Sequence, residues 1–426
     1  MSTVRDPAPT LGGTAVTLVG SGFFAVSAAM AVFNAYMPLM LDAAGLTTAA
    51  IGVVMALDNV FGVTVQPLAG MVSDHVRSPW GRRIPFAMVM APVSALALLL
   101  LPWGAGWGVG ALVGLVVLYT VTMAGWRAPI VALMPDLVES KGRSRANGII
   151  NVMGALGSAL IFATGGMLLR GFGYQGPFTV AAVLVAVAVL VLVLCVREPA
   201  SYRSRRFSMA PVGGGRGERG MLARALTPPS RLGLSGPQRR SLVLILVVIF
   251  VYTIGANAVE TFMTLYLTRE RGVAADQVTA LLLPYLAAGL LWAVPAGLLG
   301  QRFGRRPSIG VALAGAIVLF LVLVSVDEVG VLMALLPLYG ALWITIVVNA
   351  LPLVLEMGGR LHTGTMTAYY YLATGFGSIA GPIGFGVLRD ATGSYGGMFW
   401  WAAGAFLLAG LFLTRVRHGE ASPSEG

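Results

Sequence analysis

Charge is scarce in this chain. Only 11% of its 426 residues are Asp, Glu, Lys or Arg, against about 25% in an ordinary soluble domain. That deficit excludes a soluble globular class for most of the chain. Cysteine is rarer still. Cys195 stands alone, so no disulfide can form within the chain and no metal site can be built on cysteine. Histidine is limited to His75, His362 and His418, none at metal-ligand spacing, and no glycine-rich phosphate loop is present. No nucleophile–base or metal constellation appears, which argues against an enzyme. Lysine is reduced to Lys141, a bias that fits a GC-rich bacterial genome and says nothing of chemistry.

What the chain has is apolar length. Hydrophobic residues make up 57% of it and the mean hydropathy is +0.84. A segment of about 20 apolar residues crosses a hydrocarbon core of about 30 Å. Twelve such segments run roughly over 15–41, 50–72, 84–103, 109–134, 147–169, 177–196, 242–267, 277–300, 308–326, 329–355, 366–388 and 397–414. Barrel strands would be half as long and alternate with period two, so the spans are expected to be helices. Residues 1–13 are polar and the first apolar run can already span, so no cleavable signal is expected.

The formal charge of +11 is placed by topology. The N-terminus, the loops after spans 2, 4, 6, 8 and 10, and the C-terminus hold 23 of the 28 basic residues. The opposite loops hold Arg170, Arg269, Arg271 and Arg389, and Arg127 lies inside a span. The positive-inside rule then puts both termini in the cytoplasm. A basic balance arranged this way is a poor match to nucleic-acid binding. Residues 197–241 contain ten Arg and two Glu around a Gly/Ser/Pro-rich middle and read as a flexible basic linker, held near anionic lipid by charge.

The two sides of that linker repeat each other. Gly70 to Pro85 reads GMVSDHVRSPWGRRIP and Gly297 to Pro307 reads GLLGQRFGRRP, with Gly70 and Gly297 227 residues apart. Phe33 to Leu41 in span 1 matches Val259 to Leu267 in span 7 at an offset of 226. The expected architecture is an all-α membrane protein of twelve transmembrane helices in two six-helix repeats, 1–196 and 242–426, joined by 197–241. Such a duplication suggests a transporter with a site near the mid-membrane.

Twelve spans, a long central loop and the G-x-x-x-D…G-R-R hairpin after span 2 resemble the major facilitator superfamily over nearly the whole chain. The run from Gln66 to Gly70, then Ser73-Asp74, then Arg77 to Phe86, is similar to the glycoside–pentoside–hexuronide:cation symporters, in the branch shared with sucrose transporters. Trp126 to Pro129, Met134 to Leu137 and Arg143 to Gly148 resemble the span 4 to span 5 passage of the same group. The resemblance implies secondary transport by alternating access, with Asp74 in a charge cluster that forms in one conformation and breaks in another. Sodium-coupled members carry two Asp one turn apart in span 2. Gly62 and Gln66 occupy those positions here, which favours protons. The span 4 Arg of plant sucrose transporters would fall near Val131, about one turn from Arg127.

Individual residues then gain expected roles. Asp74, Arg77, Gly81, Arg82 and Arg83, with Gly304, Arg305 and Arg306 in the second copy, form the gating set. The alternative is that the arginines only fix topology. Asp58 in span 2 and Glu260 in span 7 are rival proton carriers, since an intramembrane carboxylate must be paired, hydrated or protonated. Each could instead face a water-filled mouth. Arg127 can grip hydroxyls or a carboxylate bidentately. Rise arithmetic puts it about 10 Å deeper than Asp58, so a direct pair is not expected. Asn34, Tyr36, Gln66, Trp126, Asn151, Tyr252, Asn257, Trp343, Asn349 and Tyr370 fill out a sugar site, stacking rings and bonding hydroxyls. About half of them are expected to pack against helices instead.

The expected protein is a monomeric proton-coupled sugar symporter of the bacterial inner membrane, without cofactor, metal or nucleic-acid partner. The alternatives are proton-linked efflux of an amphipathic compound and a transport-dead solute sensor.

Overall fold

The computed structural model describes residues 13–138, 142–204, 207–209, 228–358 and 362–419 and is almost wholly helical. Hydrocarbon offers the backbone no water, so each apolar run keeps its amides inside its own helix. The first part of the chain forms α1 (Gly13–Ala43), α2 (Thr48–Val63), α3 (Val65–His75), α4 (Ile84–Gly104), α5 (Val109–Leu137), α6 (Arg143–Phe172) and α7 (Gln175–Cys195). The second forms α8 (Gly236–Leu265), continued by a π-turn to Glu270, then α9 (Ala275–Phe303), α10 (Arg305–Val324), α11 (Val329–Gly358), α12 (Thr363–Thr392) and α13 (Gly397–Leu413). Among the described residues eleven spans are long and apolar enough to cross a membrane, with α2 and α3 counted as one; α13, at 17 residues, is shorter. This is a multi-pass membrane protein, and the twelve expected spans correspond to these helices.

Span 2 departs from the sequence expectation of one unbroken helix. It breaks at Thr64, whose φ of −110° and ψ of −66° interrupt the ladder between α2 and α3. The chain also divides there. One compact unit comprises Met1–Met40 and Thr64–Gly214, the other Leu41–Val63 and Gly215–Gly426.

In the first unit α4 packs on α5 and α7, α3 on α5, and α6 on α7. In the second, α2 packs on α12, α12 and α13 on α8, and α9 on α11. The glycine run of α12 works by close approach. Gly377 and Gly381 face the carbonyls of Phe250 and Ile254 on α8, and Gly386 faces that of Thr48. From the other side, Gly52 of α2 lies against the Pro382 carbonyl, where no Cβ fits.

One end of the second unit is held by ions. The Asp390 carboxylate accepts from Thr48 N at 2.9 Å and Ala49 N at 2.8 Å, so α12 caps the start of α2 from 342 residues away. Glu270 accepts from the backbone N–H groups of Tyr395 and Gly396 at the start of α13. Arg269 pairs with Asp42, Arg271 with Asp327 at 2.7 Å, and Arg389 with Asp390 at 3.6 Å. Three of the four arginines that stood against the charge asymmetry are thus neutralised by acids.

Gly52→Val is expected to destabilise the protein by about 1–3 kcal/mol, the usual result of overpacking. Thermal unfolding in detergent would show a lower midpoint; an unchanged midpoint would mean that α2 and α12 do not pack as described.

Candidate functional site

The hairpin of the first unit is built around two buried or half-buried arginines. Gly81, at φ 115°, adopts a backbone conformation that side chains disfavour, and a Cβ there would strike the Glu198 carboxylate. The chain then enters α4 through Arg82 and Arg83. Arg82 grips Asp136 with Nε to Oδ2 at 3.1 Å and Nη2 to Oδ1 at 2.5 Å. Arg83 donates Nε to Asp136 Oδ2 at 3.1 Å and Nη2 to Asp74 Oδ1 at 2.5 Å, and it also bonds Ser73 Oγ. The side chain of Asp136 is 11% exposed and that of Asp74 46%. Solvent screens the Asp74 pair far more, and Asp136 is the stronger anchor.

Sequence reasoning set Arg77, Arg82 and Arg83 around Asp74 and did not include Asp136. The structure puts Arg82 on Asp136 and leaves it 3.7 Å from Asp74, which bonds Arg83 instead. The reason is tertiary: α5 delivers its last turn to the hairpin. Glu198 was missed altogether. It is fully buried and accepts from Arg82 N at 2.9 Å, Arg83 N at 2.7 Å and Ile84 N at 2.9 Å. These are the donors that the first turn of α4 cannot satisfy itself. Burial pushes the Glu198 carboxyl above its usual value, against the downward pull of the three N–H groups.

The polar connection after α7 therefore does not start as a free linker. Tyr202 lies under the Arg82 guanidinium at 3.8 Å, Arg77 Nη1 donates to Ser201 O at 3.0 Å, and Val76–Arg77 (β1) pairs antiparallel with Ser208–Met209 (β2). Its middle, 210–227, lies outside the described residues.

The second copy of the hairpin repeats the design more lightly. Gly304 again has a positive φ, 92°. Arg305 donates to Pro352 O at 3.1 Å and pairs with Glu356 at 3.1 Å, and Arg306 donates to Thr414 O at 3.2 Å. Glu356 ends α11 as Asp136 ends α5, a correspondence the hairpin alignment did not contain.

Arg127 lies about 15 Å from the C-terminal end of α5 by helical rise, well inside the span. It lines a cavity of about 260 Å³ within the first unit, between α1, α5 and α6. Asn151, Ser27 and Ser158 share the wall. Among the described residues no ion pair or hydrogen bond is made by its guanidinium. Asn34 and Gln66 are half-buried.

In the second unit, Asp58 and Glu260 come within electrostatic reach of each other, and Glu260 within reach of Tyr285 and Tyr339. Tyr285 and Tyr339 stack at 5.6 Å. Asp58 is half-buried and Glu260 exposed. The two rival carriers thus lie in one unit, where the charge of each acts on the other. Tyr252 meets Trp343 edge-on at 5.8 Å.

Five residues expected to face substrate are packed inside the helices. Tyr36, Trp126 and Tyr252 are fully buried, and Tyr370 is buried as well. Asn349 is 3% exposed, its amide donating to Ala296 O at 3.0 Å and Thr345 O at 2.9 Å, which ties α11 to α9. Asn257 likewise donates to Thr253 O on its own helix. Polar type alone did not reveal which face each helix turns inward.

Apolar spans, intramembrane ionisable residues and charged hairpins at helix ends define a membrane transport protein. The profile of the Major Facilitator Superfamily matches residues 19–382 and, a second time, 245–426. The chain belongs to that superfamily, whose members are transporters and not enzymes. The fold agrees: a bacterial homologue of the human lysosomal transporter Spinster superposes with a TM-score of 0.73 at 14% identity, over 96% of this chain and 98% of that one. A D-xylose-proton symporter gives 0.66 at 15% identity over 93% and 96%.

Among curated relatives, the ectoine/proline transporter ProP of Corynebacterium glutamicum is 24% identical over 330 residues, 70% of this chain and 62% of its own length. The sucrose transport protein SUC4 of Arabidopsis thaliana is 31% identical over 120 residues, 24% of each chain. The chain thus spans less than two thirds of the length of these relatives.

Glu198→Ala leaves up to three amide donors of the α4 entry without an acceptor, each worth about 1–3 kcal/mol when buried. A loss of about 2–5 kcal/mol is expected, read as a lower unfolding midpoint in detergent, with Glu198→Gln in between. Equal midpoints for all three proteins would refute the capping role.

Proposed function

We propose that this protein is a secondary active transporter that couples proton entry to the uptake of a sugar. It acts as a monomer in the bacterial inner membrane with both termini in the cytoplasm. The observation that carries the reading is that Asp58 and Glu260, both in spans of one unit, lie within electrostatic reach of each other. Two carboxylates within reach of each other repel when both are charged, and a shared proton removes that repulsion. The pair can then respond to both the proton gradient and the substrate. Gly62 and Gln66 stand where a sodium site would need acids, which supports the proton as coupling ion.

Arg127 and Asn151 supply a polar wall for solute in one unit, and Trp343 an aromatic surface in the other. The Arg82–Arg83–Asp136 node, with Asp74 and Glu198, is the gate of the first repeat, and Arg305–Glu356 that of the second. Substrate and proton together must favour one conformation, since a ligand shifts only an equilibrium it binds differentially. Alignment with a sucrose transport protein and the fold shared with a D-xylose-proton symporter favour a sugar. A second reading, a compatible solute, is favoured by the longer alignment with the ectoine/proline transporter.

Proteoliposomes carrying an internal pH dye, exposed to a panel of sugars, test the proposal. One sugar should acidify the lumen, and Asp58→Asn and Glu260→Gln should abolish that signal while sugar exchange persists. Silence with every sugar, where a control symporter responds, would move efflux to first place.

A further inference from the structure

The sequence places residues 236–241 in the basic linker, yet they form the first turns of α8. A capping box fixes that start. Ser235 Oγ accepts from Gln238 N, and the Gln238 side chain accepts from Ser235 N at 3.1 Å. The first turn thus satisfies its own donors, and Arg239 and Arg240 are held in helical register with exposed side chains. No acid stands on α8 before Glu260, and none on α12 before Asp390.

One turn beyond the two arginines, α8 and α12 frame an open groove of about 620 Å³. The helices run parallel here, with Gly377 against the Phe250 carbonyl and Gly381 against that of Ile254. Every lining residue is apolar, among them Val243, Leu246 and Phe250 of α8 and Ala373, Phe376 and Ala380 of α12. The groove runs about 10 Å along each helix by rise. Val243 and Phe376 stay exposed, so the described residues leave it uncovered. Arg239, Val243, Leu246 and Phe250 follow each other at i, i+4, i+7 and i+11, which is one face of a helix. The basic pair therefore stands at the linker end of the groove and on its side of α8.

The geometry points to an anionic phospholipid as the occupant: its phosphate lies on Arg239 and Arg240, and one acyl chain lies in the groove between α8 and α12. The guanidinium fork matches phosphate oxygens bidentately, and basic residues at the end of a span attract anionic lipid. The groove adds what charge alone lacks, a fixed apolar surface for the chain, gained through van der Waals packing. A free phosphate finds the arginines but has nothing for the groove. A neutral lipid fills the groove but leaves the arginines to water. The site is independent of the transported solute and of the coupling ion.

Native mass spectrometry of the full chain, titrated in detergent with dioleoyl phosphatidylglycerol, dioleoyl phosphatidylcholine or glycerol 1-phosphate, reads occupancy. Phosphatidylglycerol should bind roughly tenfold tighter than phosphatidylcholine, less so at high salt, and glycerol 1-phosphate far more weakly than either. Arg239→Gln with Arg240→Gln should bring the ratio of the two lipids to about one. Arg415→Gln with Arg417→Gln, exposed at the end of α13 in the same unit, should leave the ratio unchanged. Ala373→Phe fills the groove and should weaken both lipids. If it does not fold, Val243→Glu at the exposed rim should weaken phosphatidylglycerol alone. Equal binding of the two lipids would overturn the inference, as would a preference that survives loss of Arg239 and Arg240. A preference lost equally with Arg415 and Arg417 would reduce it to diffuse charge and overturn the site. Glycerol 1-phosphate bound as tightly as phosphatidylglycerol, or phosphatidylglycerol indifferent to changes in the groove, would do the same.

Discussion

A helix that enters hydrocarbon has a problem at its first turn. Inside the span every amide is paired within the helix, but the first N–H groups have no carbonyl behind them. The bilayer core supplies no water to replace one. This protein meets that constraint with carboxylates brought from distant parts of the chain. Glu198 closes the start of α4, Asp390 that of α2 and Glu270 that of α13. Each favours the positive end of the helix dipole as well as its free donors. Capping and tertiary packing are therefore the same event here: the acid that completes one helix fixes where another begins or ends.

The hairpin of the first unit extends this logic to arginine. Glu198 holds the backbone of Arg82 and Arg83, and Asp136 holds their side chains. One pair of residues is thus fixed through both main chain and side chain. That rigid node joins α3, α4, α5 and the segment after α7. Its lighter relative at Arg305 has one acid and two carbonyls. Duplication preserved the turn glycine and the arginine pair, while the buried carboxylate cap is described only in the first copy.

Against this background of paired charge, the spans of each unit are sparing. The second unit carries Asp58 and Glu260 within electrostatic reach of each other, and the first carries Arg127 in a cavity with amide and hydroxyl neighbours. Membership in the Major Facilitator Superfamily fits such a plan, in which few ionisable residues lie in the spans and each is expensive unless it meets a partner, water or a ligand.

The sequence by itself determined the spans, their number, the repeat and the superfamily. It did so because the cost of polar residues in lipid is local and writes itself into every window of about 20 residues. It also singled out Asp58, Glu260, Arg127 and the hairpin arginines, since a charge inside or beside an apolar run stands out. Only the tertiary structure decided partners. Asp136 rather than Asp74 holds Arg82, Glu198 caps α4 from 114 residues away, and residues 41–63 pack with the second unit. It also turned Tyr36, Trp126 and Asn349 into packing residues. A helix that is apolar on every side carries no polar stripe to mark its solvent face, so composition alone cannot say which face turns inward. That choice depends on close approaches between helices far apart in the chain.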